Sequence, residues 1–248
     1  MSEIILKCLE PRPMAIARLM LIPFAGGGAS VFRHWAKAFP AHIEVFALQL
    51  PGREDRINTP PFTDWTEMIG SCHAAMARWP KLPIAFYGHS LGAVIALELA
   101  RTVATESPER LQHLFCAARP WPGKSYPIEQ PDIDSLDDDE FLSVMNERYG
   151  TLHPSFEIDE IRELTLPSLR SDLKLLNSYN YNRNQPLPSP LTVYSGVADP
   201  ITSIAPLNDW QSETTSNFTS RSFSGGHFFL ETCRDELLHD MVQKLTQS

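Results

Sequence analysis

The stretch IAFYGHSLGAVIALELA, residues 84–100, constrains the fold more than any other part of the chain. It opens on an apolar, strand-forming run and closes on a long run of helix formers without a breaker, with only Gly88-His89-Ser90-Leu91-Gly92 between them. A strand that turns into a helix this abruptly needs positions without side chains beside the turn, and glycines at 88 and 92 supply that room. The serine at the apex is then expected to present its hydroxyl, which is what nucleophilic catalysis requires.

The rest of the chain extends this pattern. Short apolar runs alternate with longer amphipathic stretches, which predicts an α/β fold with a mostly parallel sheet and helices on both faces. Strands are expected at 19–24, 45–50, 84–87, 114–118, 191–195 and 218–223, and helices at 64–79 and 91–104. From about 125 to 190 the alternation stops and two helical segments follow without a strand between them, so a single domain spanning 1–248 is expected to carry an insertion there. Ser135 is read as the N-cap of the first inserted helix, the acidic run 137–140 as suited to the positive end of its dipole, and Gly150 as its stop. The polar, proline-rich YNYNRNQPLPSP, 179–190, reads as the return linker.

Composition narrows the class. With 43% hydrophobic and 21% charged residues, the 248-residue chain can bury a full core without covalent staples. Thirty acidic against 21 basic residues leave a net charge of −9, a field that repels phosphate backbones and anionic lipid, so neither nucleic acid nor membrane is an expected partner. The N-terminal MSEIILKCLEPRP lacks the unbroken apolar run of a signal peptide, and the apolar stretch 16–25 contains Arg18 and is too short to cross a bilayer. Cys8, Cys72, Cys116 and Cys233 are widely spaced and read as separate thiols. A cytoplasmic monomer is expected.

A serine of ordinary acidity needs a base, and in a strand–turn–helix setting of this kind the order along the chain is Ser, then Asp or Glu, then His. Four histidines follow Ser90. His113 lies too close behind the nucleophile helix to leave room for an acid, His153 falls in the insertion, and His239 sits on a terminal amphipathic helix. His227, in SFSGGHFFL, follows an apolar strand and two glycines that can aim an imidazole at the sheet edge. Asp199 lies just past the upstream strand 191–195, in LTVYSGVADP, where it can hold the imidazole tautomer; Asp172 is a rival placed in an inserted helix and expected to be solvated. For the tetrahedral intermediate, one backbone donor is expected from Leu91 and the other from PFAGGGAS, with Ala25 preferred over Gly26. That loop lacks both the spacing of GxGxxG and the lysine of a P-loop.

These motifs, in the order PFAGGGAS, FRHW, LPGREDR, GHSLGA, LPSLRSDLKLLNSYNY, GVADP and GGHFFL, span nearly the whole chain. The sequence resembles the type II, or editing, thioesterases of nonribosomal peptide and polyketide synthetases, in the α/β-hydrolase superfamily. The resemblance implies Ser90 as nucleophile, His227 as base, Asp199 as its partner, and the N–H groups of Ala25 and Leu91 as oxyanion hole. It also implies that the insertion is a helical lid, and that the substrate is an acyl group on the phosphopantetheine arm of an acyl or peptidyl carrier protein. No cofactor or metal is implied. The residues alone leave open an esterase or acyl-CoA hydrolase of the same fold, and a non-catalytic protein that binds acylated carriers. They also leave open whether Trp121 lines a pocket or packs, and whether Arg53 and Arg56 dock a carrier or form internal salt bridges. Because carriers are themselves acidic, a net charge of −9 makes any docking depend on a local basic or apolar surface.

Overall fold

The computed structural model describes residues 5–124, 133, 135–150, 158–182, 185–203 and 206–246. Its strands are β1 (Ile5–Glu10), β2 (Ala17–Ile22), β3 (Ile43–Gln49), β4 (Ile84–His89), β5 (Leu111–Ala117), β6 (Leu191–Gly196) and β7 (Phe218–Phe223). They form one seven-stranded sheet in the order β1-β3-β2-β4-β5-β6-β7, with β1 antiparallel to β3 and every other pairing parallel. This is the α/β-hydrolase arrangement. Helices α1 (Trp65–Met76) and α2 (Leu91–Glu106) precede β5, α3 (Asp138–Tyr149) and α4 (Asp159–Asn177) lie between β5 and β6, and α5 (Phe229–Thr232) and α6 (Arg234–Thr246) follow β7.

The central strands β2, β4 and β6 are buried along their whole length, as covered parallel strands must be. Side chains alternate between the faces of such strands, and the two cores divide β2 accordingly. Met20 and Ile22 join Phe86, Val94, Leu97, Leu114 and Val193 on the α1–α2 face. Leu19 and Leu21 join Tyr87, Phe115, Trp35 and Leu237 on the other, where α6 and the turns after β2 pack.

Three sequence expectations are corrected. β1 was not anticipated at all: it is an antiparallel edge strand in which Lys7 and Glu10 interrupt the apolar run, and Lys7 pairs with Asp55. β2, β3 and β5 each begin before the expected start. The N-cap of α3 is Asp137, not Ser135: its carboxylate accepts from the N–H of Asp139 at 3.0 Å and of Glu140 at 2.9 Å, while Glu140 accepts from the Asp137 N–H at 3.1 Å. That reciprocal capping box outcompetes a serine two positions upstream. Gly150 does stop the helix, at φ +77°. Arg170 of α4 then ties the two inserted helices together, donating to the carbonyls of Ile133, Leu136 and Asp137 and to the Asp138 carboxylate.

Candidate active site

Ser90 joins β4 to α2 with φ +57° and ψ −113°, a conformation L-residues rarely adopt. Backbone contacts on either side hold it there: its N–H donates to Ala117 at 2.8 Å and its carbonyl accepts from Ala93 at 3.0 Å. A Cβ at Gly88 would lie 1.9 Å from the Gly92 carbonyl oxygen, and one at Gly92 would lie 2.3 Å from that of Ile22. Both glycines are therefore required by neighbouring backbone. Leu91 is the first residue of α2, so its N–H belongs to the first turn and has no acceptor within the helix.

His227 sits just past β7 in a turn that opens with Gly225 at φ +107°. Its Nδ1 lies 3.1 Å from both carboxylate oxygens of Asp199, which is fully buried beyond the end of β6. Burial alone would raise the Asp199 pKa, but the hydrogen bond and charge of His227, the Ile201 N–H at 2.9 Å and the Thr202 hydroxyl at 3.0 Å together hold it below its ordinary value. An ionised acceptor there assigns the proton to Nδ1 and leaves Nε2 free to accept one.

One functional residue was not anticipated by the sequence reading. His89, beside the serine, is fully buried, and its Nε2 donates to the His227 carbonyl at 2.8 Å. The Tyr87 hydroxyl, 3.2 Å away, donates to its Nδ1. Burial, then the charge of His227, pushes the His89 pKa down to about 3, so it stays neutral and keeps this donor–acceptor pattern. The motif supplied the histidine, but its partner is 138 positions away in sequence and no local signal points to it.

Ser90 and His227 open onto one cavity of about 410 Å³. The glycine-rich loop 24–28 forms one wall, and Met145, Tyr149, Leu164, Leu169 and Leu173 of the inserted helices form an apolar roof. Within that loop the Gly26 N–H is already taken by Asp172 at 2.8 Å, and Ala25 lines the cavity beside Ser90. Asp172 is the clearest departure from expectation: it is only 3% exposed and pairs with the buried Arg53, its Oδ2 at 2.6 Å from Nη1 and its Oδ1 at 2.8 Å from Nη2. It is not solvated, and Arg53 is not available to dock a partner. Trp121 packs, donating to Glu213 at 2.7 Å beside Tyr181. His113 is buried in β5, 2.8 Å from the Thr192 hydroxyl, and His239 lies on α6, while His153 lies outside the described residues. Among the described residues no cluster of His, Cys, Asp and Glu could hold a metal, and no helix is long and apolar enough to cross a membrane.

A serine on a positive-φ elbow and an imidazole fixed by a buried carboxylate, opening on one apolar cavity at the ends of parallel strands, have the layout of a serine hydrolase. The chain belongs to the thioesterase domain family, whose model matches residues 17–245, and it is a thioesterase. It is 35% identical over 228 residues to the gramicidin S biosynthesis protein GrsT of Aneurinibacillus migulanus, a match covering 92% of this chain and 88% of that protein. It is 32% identical over 247 residues to the thioesterase PikA5 of Streptomyces venezuelae, covering 98% and 86%. Among solved structures, the type II thioesterase BorB from the borrelidin biosynthetic cluster superimposes with a TM-score of 0.84 at 28% identity over 97% of each chain.

Proposed function

We propose that this thioesterase hydrolyses acyl groups from the phosphopantetheine arm of acyl or peptidyl carrier proteins, clearing misprimed or stalled synthetase modules. The relatives named above, a gramicidin S biosynthesis protein and a type II thioesterase of a biosynthetic cluster, support this reading. The observation that carries the chemistry is the opening of Ser90 and of the Asp199-held His227 onto one apolar cavity.

In this reading His227 Nε2 takes the Ser90 proton as Oγ attacks the thioester carbonyl. The N–H groups of Ala25 and Leu91 hold the oxyanion that forms. Collapse breaks the C–S bond, the leaving sulfur takes the proton from His227, and the acyl group stays on Ser90. A water molecule, deprotonated by His227, then attacks that ester, and collapse returns the proton to Ser90 and releases the acid. The chain acts as one domain with α3 and α4 as the lid over the acyl cavity, as a cytoplasmic monomer without a cofactor.

The test is hydrolysis of one acyl group presented on a carrier protein, on CoA and as a simple ester, by wild type and Ser90→Ala. Carrier-bound substrate should be fastest, and Ser90→Ala should lose nearly all turnover with its fold intact. Equal rates on all three presentations would refute the carrier assignment, and an active Ser90→Ala would refute the nucleophile.

A further inference from the structure

The loop that carries Ala25 is clasped from two sides. From the last residue of β3 and the loop after it, Gln49 accepts from the Ala29 N–H at 2.8 Å, Glu54 accepts from the Ser30 N–H at 3.0 Å, and Arg53 donates to the Gly27 carbonyl at 3.2 Å. From α4, Asp172 accepts from Gly26, and Leu169 packs so close that a Cβ on Gly26 would lie 3.2 Å from its own Cβ. Within the loop, the Gly27 N–H donates to the Phe24 carbonyl at 2.9 Å.

These bonds fix two successive peptide planes. The Phe24 carbonyl shares its trans plane with the Ala25 N–H, so tying that carbonyl back to Gly27 aims the N–H the opposite way. The Gly26 N–H belongs to the next plane, and Asp172 holds it. A lone carboxylate here would oppose negative charge developing on a nearby oxygen, but the bidentate Arg53 neutralises it.

We infer that Asp172 and Arg53 are positioning residues for the hydrolysis: they set the direction of the Ala25 N–H and couple the oxyanion loop to the inserted helix α4. The inference rests on the proposed role of Ala25 as an oxyanion donor. A misaimed donor is felt where charge develops, so its loss lowers kcat more than it raises KM. Deleting an oxyanion donor outright costs about 10²–10³-fold in kcat, and releasing one from its anchor should cost about tenfold or more.

Removing Asp172 alone would strand a buried guanidinium, so the test uses two variants without a buried charge. Arg53→Met/Asp172→Asn keeps an amide oxygen for the Gly26 N–H, whereas Arg53→Met/Asp172→Leu does not. With matched thermal stability, the Leu variant should show a kcat about tenfold or more below the Asn variant at similar KM. Its affinity for a boronic acid that forms a tetrahedral adduct on Ser90 should fall by the same factor, and its affinity for the product acid should not change. Arg170→Ala loosens the contact between α3 and α4 without touching the glycine loop, and should disturb KM more than kcat. In wild type the Gly26 amide should exchange slowly with deuterium, a measurement that needs no variant to fold. Equal kcat and boronate affinity for the two double variants, an equal kcat loss in Arg170→Ala, or a fast-exchanging Gly26 amide would each overturn the inference. An active Ser90→Ala would instead overturn the reading beneath it.

Discussion

Asp199 shows how much of the site is carried by single atoms. Both of its oxygens accept from other donors besides His227, so an amide in its place keeps the shape but offers a nitrogen where an oxygen is needed. Asp199→Asn should lower kcat by about 10²–10⁴-fold with a near-normal melting temperature, read by steady-state kinetics and thermal unfolding. Ser90, His227 and Asp199 were legible in the sequence because each sits in its own local signature: a glycine-flanked turn, a double glycine after a strand, a strand end. The supports were not legible. Arg53 meets Asp172 across 119 positions, and His89 meets the His227 carbonyl across 138. Nothing in either neighbourhood encodes such a pairing, and a mid-helix aspartate reads as solvated until a buried guanidinium is found beside it.

Elements were legible where both faces are buried. β4 and α2 lie in the middle of the sheet and among its covering helices, so their apolar runs are unbroken. β1 has a partner on one side only, and its alternation is diluted by charge, so it carried no comparable signal. The inserted helices depend on their ends more than on burial, since α3 buries only Phe141, Met145 and Tyr149. Removing the capping carboxylate by Asp137→Ala should cost about 1 kcal/mol, seen as faster hydrogen exchange in α3 rather than as loss of the sheet. Because Met145 and Tyr149 roof the cavity, the same variant should raise KM more than it lowers kcat.

Across the molecule, two buried histidines set the response to acid. Burial pushes His89 down to about 3, and burial with the nearby Lys244 charge does the same to His113, from an ordinary value of 6.5. Unfolding between those limits takes up protons, so their contribution is complete above pH 6.5 and declines as pH falls toward 3. The lowered Asp199 acts in the same direction below the ordinary carboxylate range. Each histidine adds up to about 1.4 kcal/mol of lost stability per pH unit, so urea unfolding near pH 5 should show a clear loss relative to neutral pH, and His113→Phe should flatten that slope by one proton. A wild-type stability flat over this range would contradict the assignment. The thiols follow the same logic of burial. A thioester transfers readily to a thiolate, and Cys116 lies on β5 in register with Gly88, one strand from the nucleophile. Burial keeps Cys116 protonated far above its usual range and pushes Cys72 up to about 12, while burial and Glu44 raise Cys8. An acyl load brought to this molecule therefore finds the buried Cys72 and Cys116 sulfurs disarmed, and it departs in water as an acid instead of being stored on either of them.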